Sequence, residues 1–361
     1  MHPLVVDLGR DYRGGQHQAL LLVRGLLARG HTPELITLRD SLLARRAKDA
    51  GISVHGVSPG RRRLSAALVI RRLLRRRRVD VIHANEPHAL SSAWLARAHH
   101  SVPLVVSRRI AVPLSKNSFS LARYRAAGRI IAVSQFVRKS VLASGFAENC
   151  IDVIYDGVET PPMISPADRD RARNRFAIPQ ESVWIGNVAA FAPEKGHVLL
   201  IRALADLRAR FPQCVLLLPG EGPEKTKLRD VVRRLRLEDV VKFPGFVSDI
   251  ESVYAATHLF VFPSHEEPLG SSLLAAMAHG LPVVAFARGG VPEVVEDGKN
   301  GLLVKELDPV ALAAAIKRLL SDPTEARRLG EAARETIAAR FSADRMVDAT
   351  LQVYERLIAA R

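Results

Sequence analysis

Residues 262–284 read Phe262-Pro263-Ser264-His265-Glu266-Glu267-Pro268-Leu269-Gly270-Ser271-Ser272-Leu273-Leu274-Ala275-Ala276-Met277-Ala278-His279-Gly280-Leu281-Pro282-Val283-Val284. The order is strand end, acidic loop, Gly-Ser-Ser, helix, glycine stop and new strand, one complete passage of a β-α-β unit. Ser271 and Ser272 open the helix, so their free backbone N–H groups and the helix dipole make an anion site facing the C-terminal end of the preceding strand, where a phosphate fits. Glu267 lies just before it. A carboxylate there repels a bare phosphate but accepts hydrogen bonds from the hydroxyls of an attached sugar. The plainer alternative is an N-capping serine with solvated glutamates.

The same alternation runs outward in both directions, which is the pattern of repeated βα units and parallel sheets. Before the middle of the chain, strands are expected at Leu4–Leu8, Glu34–Leu38, Ser53–Val57, Asp80–Ala84, Leu104–Ser107 and Arg129–Ser134. Between the first two, Gln16–Arg29 carries leucines on one broad face and stops at Gly30, a left-handed cap. Near Glu159–Asp168 three prolines remove donors and disfavour helix and sheet, so the domain linker is placed there. Strands then resume at Val183–Val188, Val215–Leu218, Val241–Phe243, Leu259–Phe262, Pro282–Ala285 and Gly301–Val304. The expected fold is α/β: two Rossmann-like domains over 1–160 and 161–340, with a helix over 341–361 crossing back to the first. Ligands of such domains sit beyond the strand ends, here at a cleft between the two.

Composition narrows the class. The 361 residues are 48% hydrophobic, 25% charged and 5% aromatic, which excludes disordered and collagen-like chains. No apolar run approaches the roughly 18 residues of a spanning helix, and the N-terminus lacks the pattern of a signal peptide, so a cytoplasmic protein is expected. Cys150 and Cys214 stand apart from any metal-ligand spacing and are expected as small core residues. Residues 1–160 hold 26 Lys and Arg against 11 Asp and Glu, a net +15, and the remainder holds 27 against 26, a net +1. A basic half attracts lipid headgroups, nucleic acid or an acidic substrate. Nucleic acid is set aside, since no helix-turn-helix, zinc-finger or RRM signature is present and aromatic residues for base stacking are scarce.

A second loop, Gly186-Asn187-Val188-Ala189-Ala190-Phe191-Ala192-Pro193-Glu194-Lys195-Gly196-His197, leaves a strand and opens a helix. Lys195 there is a compact cation suited to a diphosphate that gains charge as it leaves. Arg108 and Arg109 follow a strand at the expected cleft edge, where guanidiniums clamp an anionic acceptor or are simply solvated. Residues 61–78 hold nine arginines with Ala66, Val69, Ile70, Leu73 and Leu74 among them. That is an amphipathic helix with a cationic rim, which either docks on anionic lipid or packs its apolar side on the sheet.

Taken together, the chain resembles GT-B-fold retaining glycosyltransferases of family 4. The resemblance rests on Gly14-Gly15-Gln16, Leu26-Leu27-Ala28-Arg29-Gly30-His31, Val79-Asp80-Val81-Ile82-His83-Ala84-Asn85, Ile130-Ile131-Ala132-Val133-Ser134, Pro193-Glu194-Lys195-Gly196, Gly289-Gly290-Val291-Pro292-Glu293 and Asn300-Gly301, in order across both domains. It implies transfer of a sugar from a nucleotide diphosphate sugar, UDP by default, to a glycan or lipid-linked acceptor, with retained configuration, no metal and no other cofactor. It further implies that Lys195 stabilises the leaving diphosphate, that Glu267 contacts the donor sugar, that the amides of Gly270, Ser271 and Ser272 hold phosphate, and that Leu269 belongs to the donor-binding segment. Gly14 and Gly15 would admit the reacting groups closely, and Phe246, Val247 and Ser248 would lie near the base. His83, Asn85 and His88 are assigned to the catalytic segment, and Glu86, Arg108 and Arg109 to the acceptor. Two departures stand out: the family's second glutamate, eight residues after Glu267, is Ala275, and an arginine five before Lys195 is Ala190. They keep a non-catalytic partner subunit open as an alternative, beside a nucleotide-sugar epimerase. The expected setting is bacterial lipopolysaccharide or surface-polysaccharide synthesis at the inner face of the membrane.

Overall fold

The computed structural model describes residues 1–361 except Arg77, Arg78, Ser115, Lys116, Ala177, Ile178 and Gln180. The chain divides into two units, Met1–Gly157 with Phe341–Arg361, and Val158–Arg340. The last two arginines of the basic stretch 61–78 lie outside the described residues.

In the first unit seven strands, β1 (Pro3–Val6), β2 (Glu34–Leu38), β3 (Ser53–Val57), β4 (Val81–Ala84), β5 (Leu104–Arg108), β6 (Arg129–Ala132) and β7 (Ile151–Val153), form one sheet in the order β3-β2-β1-β4-β5-β6-β7. In the second, β8 (Val183–Gly186), β9 (Cys214–Pro219), β10 (Val241–Gly245), β11 (Leu259–Phe262), β12 (Val283–Phe286) and β13 (Leu302–Val304) run in the order β10-β9-β8-β11-β12-β13. The ladders are parallel. Central strands such as β1, β11 and β12 are apolar runs buried throughout, as sheets covered by helices on both faces require. Strand order reverses between β1 and β4 and again between β8 and β11. Chains leaving such neighbours part to opposite faces, opening a crevice at their C-terminal ends.

Strand ends differ from expectation where a polar group intervenes. β1 stops at Val6 because Asp7 turns its carboxylate to receive local donors, and β6 stops at Ala132 because Ser134 caps the helix Gln135–Leu142 through the Val137 N–H at 3.1 Å. β8 stops at Gly186, after which the Asn187 amide donates to the Val261 carbonyl at 2.9 Å and ties the ends of β8 and β11. β7, three residues in Cys-Ile-Asp-Val-Ile, carries too short an alternation to be read beforehand.

The terminal helix Ala343–Ala359 belongs to the first unit, packing Met346, Val347, Leu351, Val353 and Tyr354 with Ala19, Leu22, Val23 and Leu26 of the helix Gly14–Ala28. Arg29 ties the two by ion pairs to Asp344 and Asp348 at 3.0 and 2.6 Å. Of the cysteines, Cys214 is buried, its thiol pushed up to about 11 by desolvation, whereas Cys150 is only half-buried.

Candidate functional site

In the second unit the crevice between β8 and β11 brings two sequence-distant loops together. Lys195 ends a single 3-10 turn, Pro193–Lys195, and Gly196 follows at φ 69°. A Cβ at Gly196 would lie 1.9 Å from the Pro263 carbonyl oxygen, so only glycine lets the lysine loop press onto the exit of β11. The His265 N–H donates to the Glu194 carbonyl at 2.8 Å and fixes this approach. The Lys195 Nζ consequently lies 2.6 Å from the Glu267 Oε2, with the side chains 23% and 13% exposed. From the other side the loop after β12 clamps the backbone of Glu267: the Gly290 N–H donates to its carbonyl at 2.8 Å, and a Cβ on Gly289 would lie 2.1 Å from the same oxygen.

Gly270, at φ 108°, is the N-cap of the helix Ser271–Ala278 and has no side chain to occupy the first-turn N–H groups. The N-capping-serine alternative is therefore corrected: Ser271 and Ser272 are inside the helix, exposed and half-buried respectively. Leu269 is buried, so its side chain serves the core. Phe246 is 69% exposed, while Val247 packs against the cluster around Trp184. Among the buried polar atoms around this crevice that have no partner in the described residues are the Asn187 Oδ1, both ring nitrogens of His197, the Ser264 Oγ and the His265 Nε2. Buried polar atoms are normally satisfied, and at strand ends such as these either water or a ligand can supply the partner. His197 is held neutral, its pKa lowered to about 4 by burial and then by Lys195.

The reading of the sequence missed the loop Pro219-Gly220-Glu221-Gly222. Gly220 and Gly222 close onto Ala189 and Phe191, where Cβ atoms would come within 2.2 and 2.4 Å of their carbonyl oxygens. The signal was available as Gly-x-Gly straight after a strand.

The first unit repeats the arrangement with different chemistry. At the β1/β4 crevice the buried Asp7 accepts hydrogen bonds from Gln16 Nε2 at 2.9 Å, the Gly9 N–H at 2.9 Å and Asn85 Nδ2 at 2.6 Å. Asn85 Nδ2 also donates to the Gly15 carbonyl at 2.9 Å, and its Oδ1 accepts from Arg109 Nη1 at 2.7 Å. Arg109 Nε in turn bonds Asp156 at 2.9 Å. Asp7, Gln16 and Asp156 were not foreseen, although a carboxylate ending an apolar strand signals Asp7.

Several expected roles are corrected here. Asn85 has both amide donors committed, so it positions Gly15 and Arg109 rather than reaching out to a sugar. His83 is a buried core residue whose Nδ1 and Nε2 lie 2.6 Å from Tyr354 Oη and 2.7 Å from Ser107 Oγ, and burial lowers its pKa to about 3. Arg108 is buried and donates to Tyr124 Oη and the Val112 carbonyl, so it does not clamp an acceptor. Glu86 caps the helix Pro87–Leu95, accepting from the N–H groups of Leu8, His88 and Ala89 at 3.2, 2.6 and 2.7 Å. Burial, followed by the field of Asp7, raises its pKa to about 7 against those bonds. His88 is half-buried, its Nδ1 accepting from Arg63 Nε at 2.9 Å. Gly14 starts its helix, and Gly15 packs beside Arg109.

The basic helix is Arg62–Arg75. Ala66, Ala67, Ile70 and Leu73 are buried against the protein and Val69 and Leu74 partly so, which is the packing alternative for these residues. Leu64 and Leu68 on the same helix are instead 59% and 66% exposed.

Residues 168–336 match the family model for glycosyl transferases group 1, and residues 12–161 match that for Glycosyltransferase Family 4. The chain belongs to this glycosyltransferase family. It is 32% identical over 306 residues to D-inositol 3-phosphate glycosyltransferase 2 of Catenulispora acidiphila, covering 77% of this chain and 71% of that one. The lipopolysaccharide core biosynthesis glycosyltransferase LpsE of Rhizobium meliloti is 28% identical over 291 residues, 81% of this chain and 80% of that one. Anabaena HepE, solved in complex with UDP-glucose, superposes with a TM-score of 0.84 at 26% identity, covering 99% and 100% of the two chains. The two parallel-sheet units of this glycosyltransferase are those of the GT-B fold. Among its described residues no helix is long and apolar enough to cross a membrane, and no three His, Cys, Asp or Glu side chains are grouped to hold a metal ion.

Proposed function

We propose that this glycosyltransferase moves the sugar of a nucleotide diphosphate sugar, with UDP as the nucleotide, onto a glycan or lipid-linked acceptor of a bacterial surface polysaccharide such as lipopolysaccharide, retaining the anomeric configuration. The observation that carries the reading is the Lys195–Glu267 pair across the β8/β11 crevice, beside the uncapped first turn of Ser271–Ala278. A diphosphate seated on that turn would meet the dipole and free N–H groups of the helix, and its growing charge on departure would be met by Lys195. Glu267, released from the lysine, would accept hydrogen bonds from the sugar hydroxyls. Because cation and helix terminus together offset the leaving charge, transfer is expected to persist in excess EDTA. The relatives that support the reading are HepE, crystallised with UDP-glucose, and LpsE, named for lipopolysaccharide core synthesis.

Thermal unfolding with UDP, GDP, ADP and their sugar conjugates tests the donor. Ligand at about 100 times its Kd adds roughly 2.7 kcal/mol. A rise in Tm for the UDP series alone, lost in Lys195→Ala, is the expected result, and the anomeric proton coupling of the product then reports the stereochemistry. One observation favours a donor-incompetent subunit: Ala275 lies one turn after Ser271 on the half-buried side of the helix, offering a methyl group in place of a carboxylate. No shift with any nucleotide would establish that reading, whereas epimerase activity would appear as an altered sugar nucleotide in the absence of acceptor. Peripheral docking at the inner, anionic membrane face is supported by exposed Leu64 and Leu68 among arginines, and equal co-sedimentation with anionic and neutral vesicles would refute it.

A further inference from the structure

Three arginines from two helices converge on the first turns of a third. Arg63, from the helix Arg62–Arg75, approaches His88 Nδ1 with Nε at 2.9 Å and Nη2 at 2.6 Å. Its neighbour Arg62 donates from Nη1 to the Leu8 carbonyl at 2.9 Å, at the exit of β1. Arg123, from the helix Ser118–Arg125, donates from Nη1 to Ser91 Oγ one turn beyond His88. No ion pair among the described residues engages any of the three. The carboxylate at this turn, Glu86, is already spent on the N–H groups of Leu8, His88 and Ala89. Arg10, exposed in the loop after β1, adds to the same field: burial and then Arg62, Arg63, Arg123 and Arg10 lower the His88 pKa to about 4. A neutral imidazole that accepts from a guanidinium and keeps its Nε2–H is an anchor for the arginine and a further donor.

We propose that Arg62, Arg63, Arg123 and His88 form a binding site for a phosphate group carried by the acceptor. Three guanidiniums converging without a counter-ion repel one another until an anion joins them, and the N–H groups not spent on His88, the Leu8 carbonyl, Ser91 and the Phe119 carbonyl suit phosphate oxygens. The site belongs to the first unit and Lys195 to the second, and the site deepens the proposed function: the acceptor it selects is a sugar phosphate or a phosphate-bearing lipid. The inference rests on the transferase reading, but its test is separable from it.

The test follows the His88 imidazole resonances of the full chain by NMR while inorganic phosphate is added at constant ionic strength. Saturable displacement is expected, at least tenfold weaker in Arg63→Gln/Arg123→Gln and unchanged in Lys195→Ala. A response matched by chloride, or undiminished in the double variant, overturns the proposal. UDP-dependent Tm shifts on the same samples separate the two ideas: UDP without phosphate sinks the acceptor site alone, and phosphate without UDP sinks the donor reading alone. If the double variant does not fold, Arg63→Lys replaces it, with phosphate binding expected severalfold weaker because an ammonium cannot hold His88 Nδ1 with one edge and donate to phosphate with the other. Vesicles of phosphatidylcholine with and without phosphatidic acid identify the source. Pelleting that depends on phosphatidic acid and is lost in the variant marks a lipid-borne phosphate. Saturable phosphate binding without such pelleting marks a soluble sugar phosphate, and either result upholds the site.

Discussion

Lys195 and Glu267 are paired in the structure and, in the proposed reaction, each also has a chemical task, and variants separate the two. Lys195→Ala leaves a mostly buried carboxylate without its cation, so Tm should fall, and loss of one preorganised charge contact should lower kcat about 100- to 1000-fold, some 2.7–4 kcal/mol. Adding Glu267→Gln to that variant should recover the Tm and leave kcat low; recovery of both would remove Lys195 from the chemistry. In the first unit, titration distinguishes Glu86 from His83. The Glu86 carboxyl titrates at about 7 when folded against an ordinary 4.5, so the folded state holds the extra proton and stability falls as pH rises through that window. His83, lowered from 6.5 to about 3, has the opposite sign: burial of its neutral form is tolerated fully above 6.5, and stability is lost as pH falls towards 3. Urea unfolding between pH 4.5 and 7 should therefore show Glu86→Gln removing a downward slope. An unchanged slope in that variant would assign the carboxyl an ordinary pKa.

At the level of elements, the decisive contact of the first unit is between the helices Gly14–Ala28 and Ala343–Ala359. A Cβ on Gly25 would lie 2.5 Å from Val347 Cγ2, and a β-branched side chain cannot swing aside as a long one can. Gly25→Ala gains helix propensity of about 1 kcal/mol, yet overpacking of this kind costs about 1–3 kcal/mol, so the substitution should destabilise. In a Val347→Ala background the clash is gone, and the same change should stabilise by about 0.5–1 kcal/mol. A change of equal sign in both backgrounds would show that the two helices do not touch there. Periodicity had already placed apolar residues along both helices, but it carried no information on which glycine faces which valine. That pairing depends on how two faces meet, not on the pattern of either.

For the whole molecule, two consequences follow from composition and connectivity. The first 160 residues carry a net +15 against +1 for the rest, so any attraction to anionic vesicles should collapse as salt rises from 0.1 to 1 M and the screening length shrinks from about 10 to about 3 Å. Retention at high salt would shift the weight to Leu64 and Leu68. The final helix completes the core of the first unit, burying Tyr354 over His83 and closing a cluster with Leu22, Val23 and Leu26. Truncation after Arg340 should therefore abolish the unfolding transition of the first unit while the second retains its own, together with its response to UDP. A single cooperative loss of both would mean that neither unit stands alone.

Strands, helices and their parallel arrangement were legible in the sequence because hydrophobic period and cap chemistry are local properties, repeated at each βα step. The two strand-to-helix loops that hold Lys195 and Glu267 were legible for the same reason, each having a recognisable composition, whereas the pairing of the two side chains was not. Tertiary structure alone decided which of the polar residues at the strand ends are committed to partners within the fold. His83 and Asn85 read as catalytic and Arg108 as an acceptor contact in one dimension, but each is held by a partner elsewhere in the chain, Tyr354, Asp7 and Tyr124 respectively. A buried polar group must find its hydrogen bonds wherever the fold provides them, and that requirement links residues whose separation in sequence bears no relation to their distance in space.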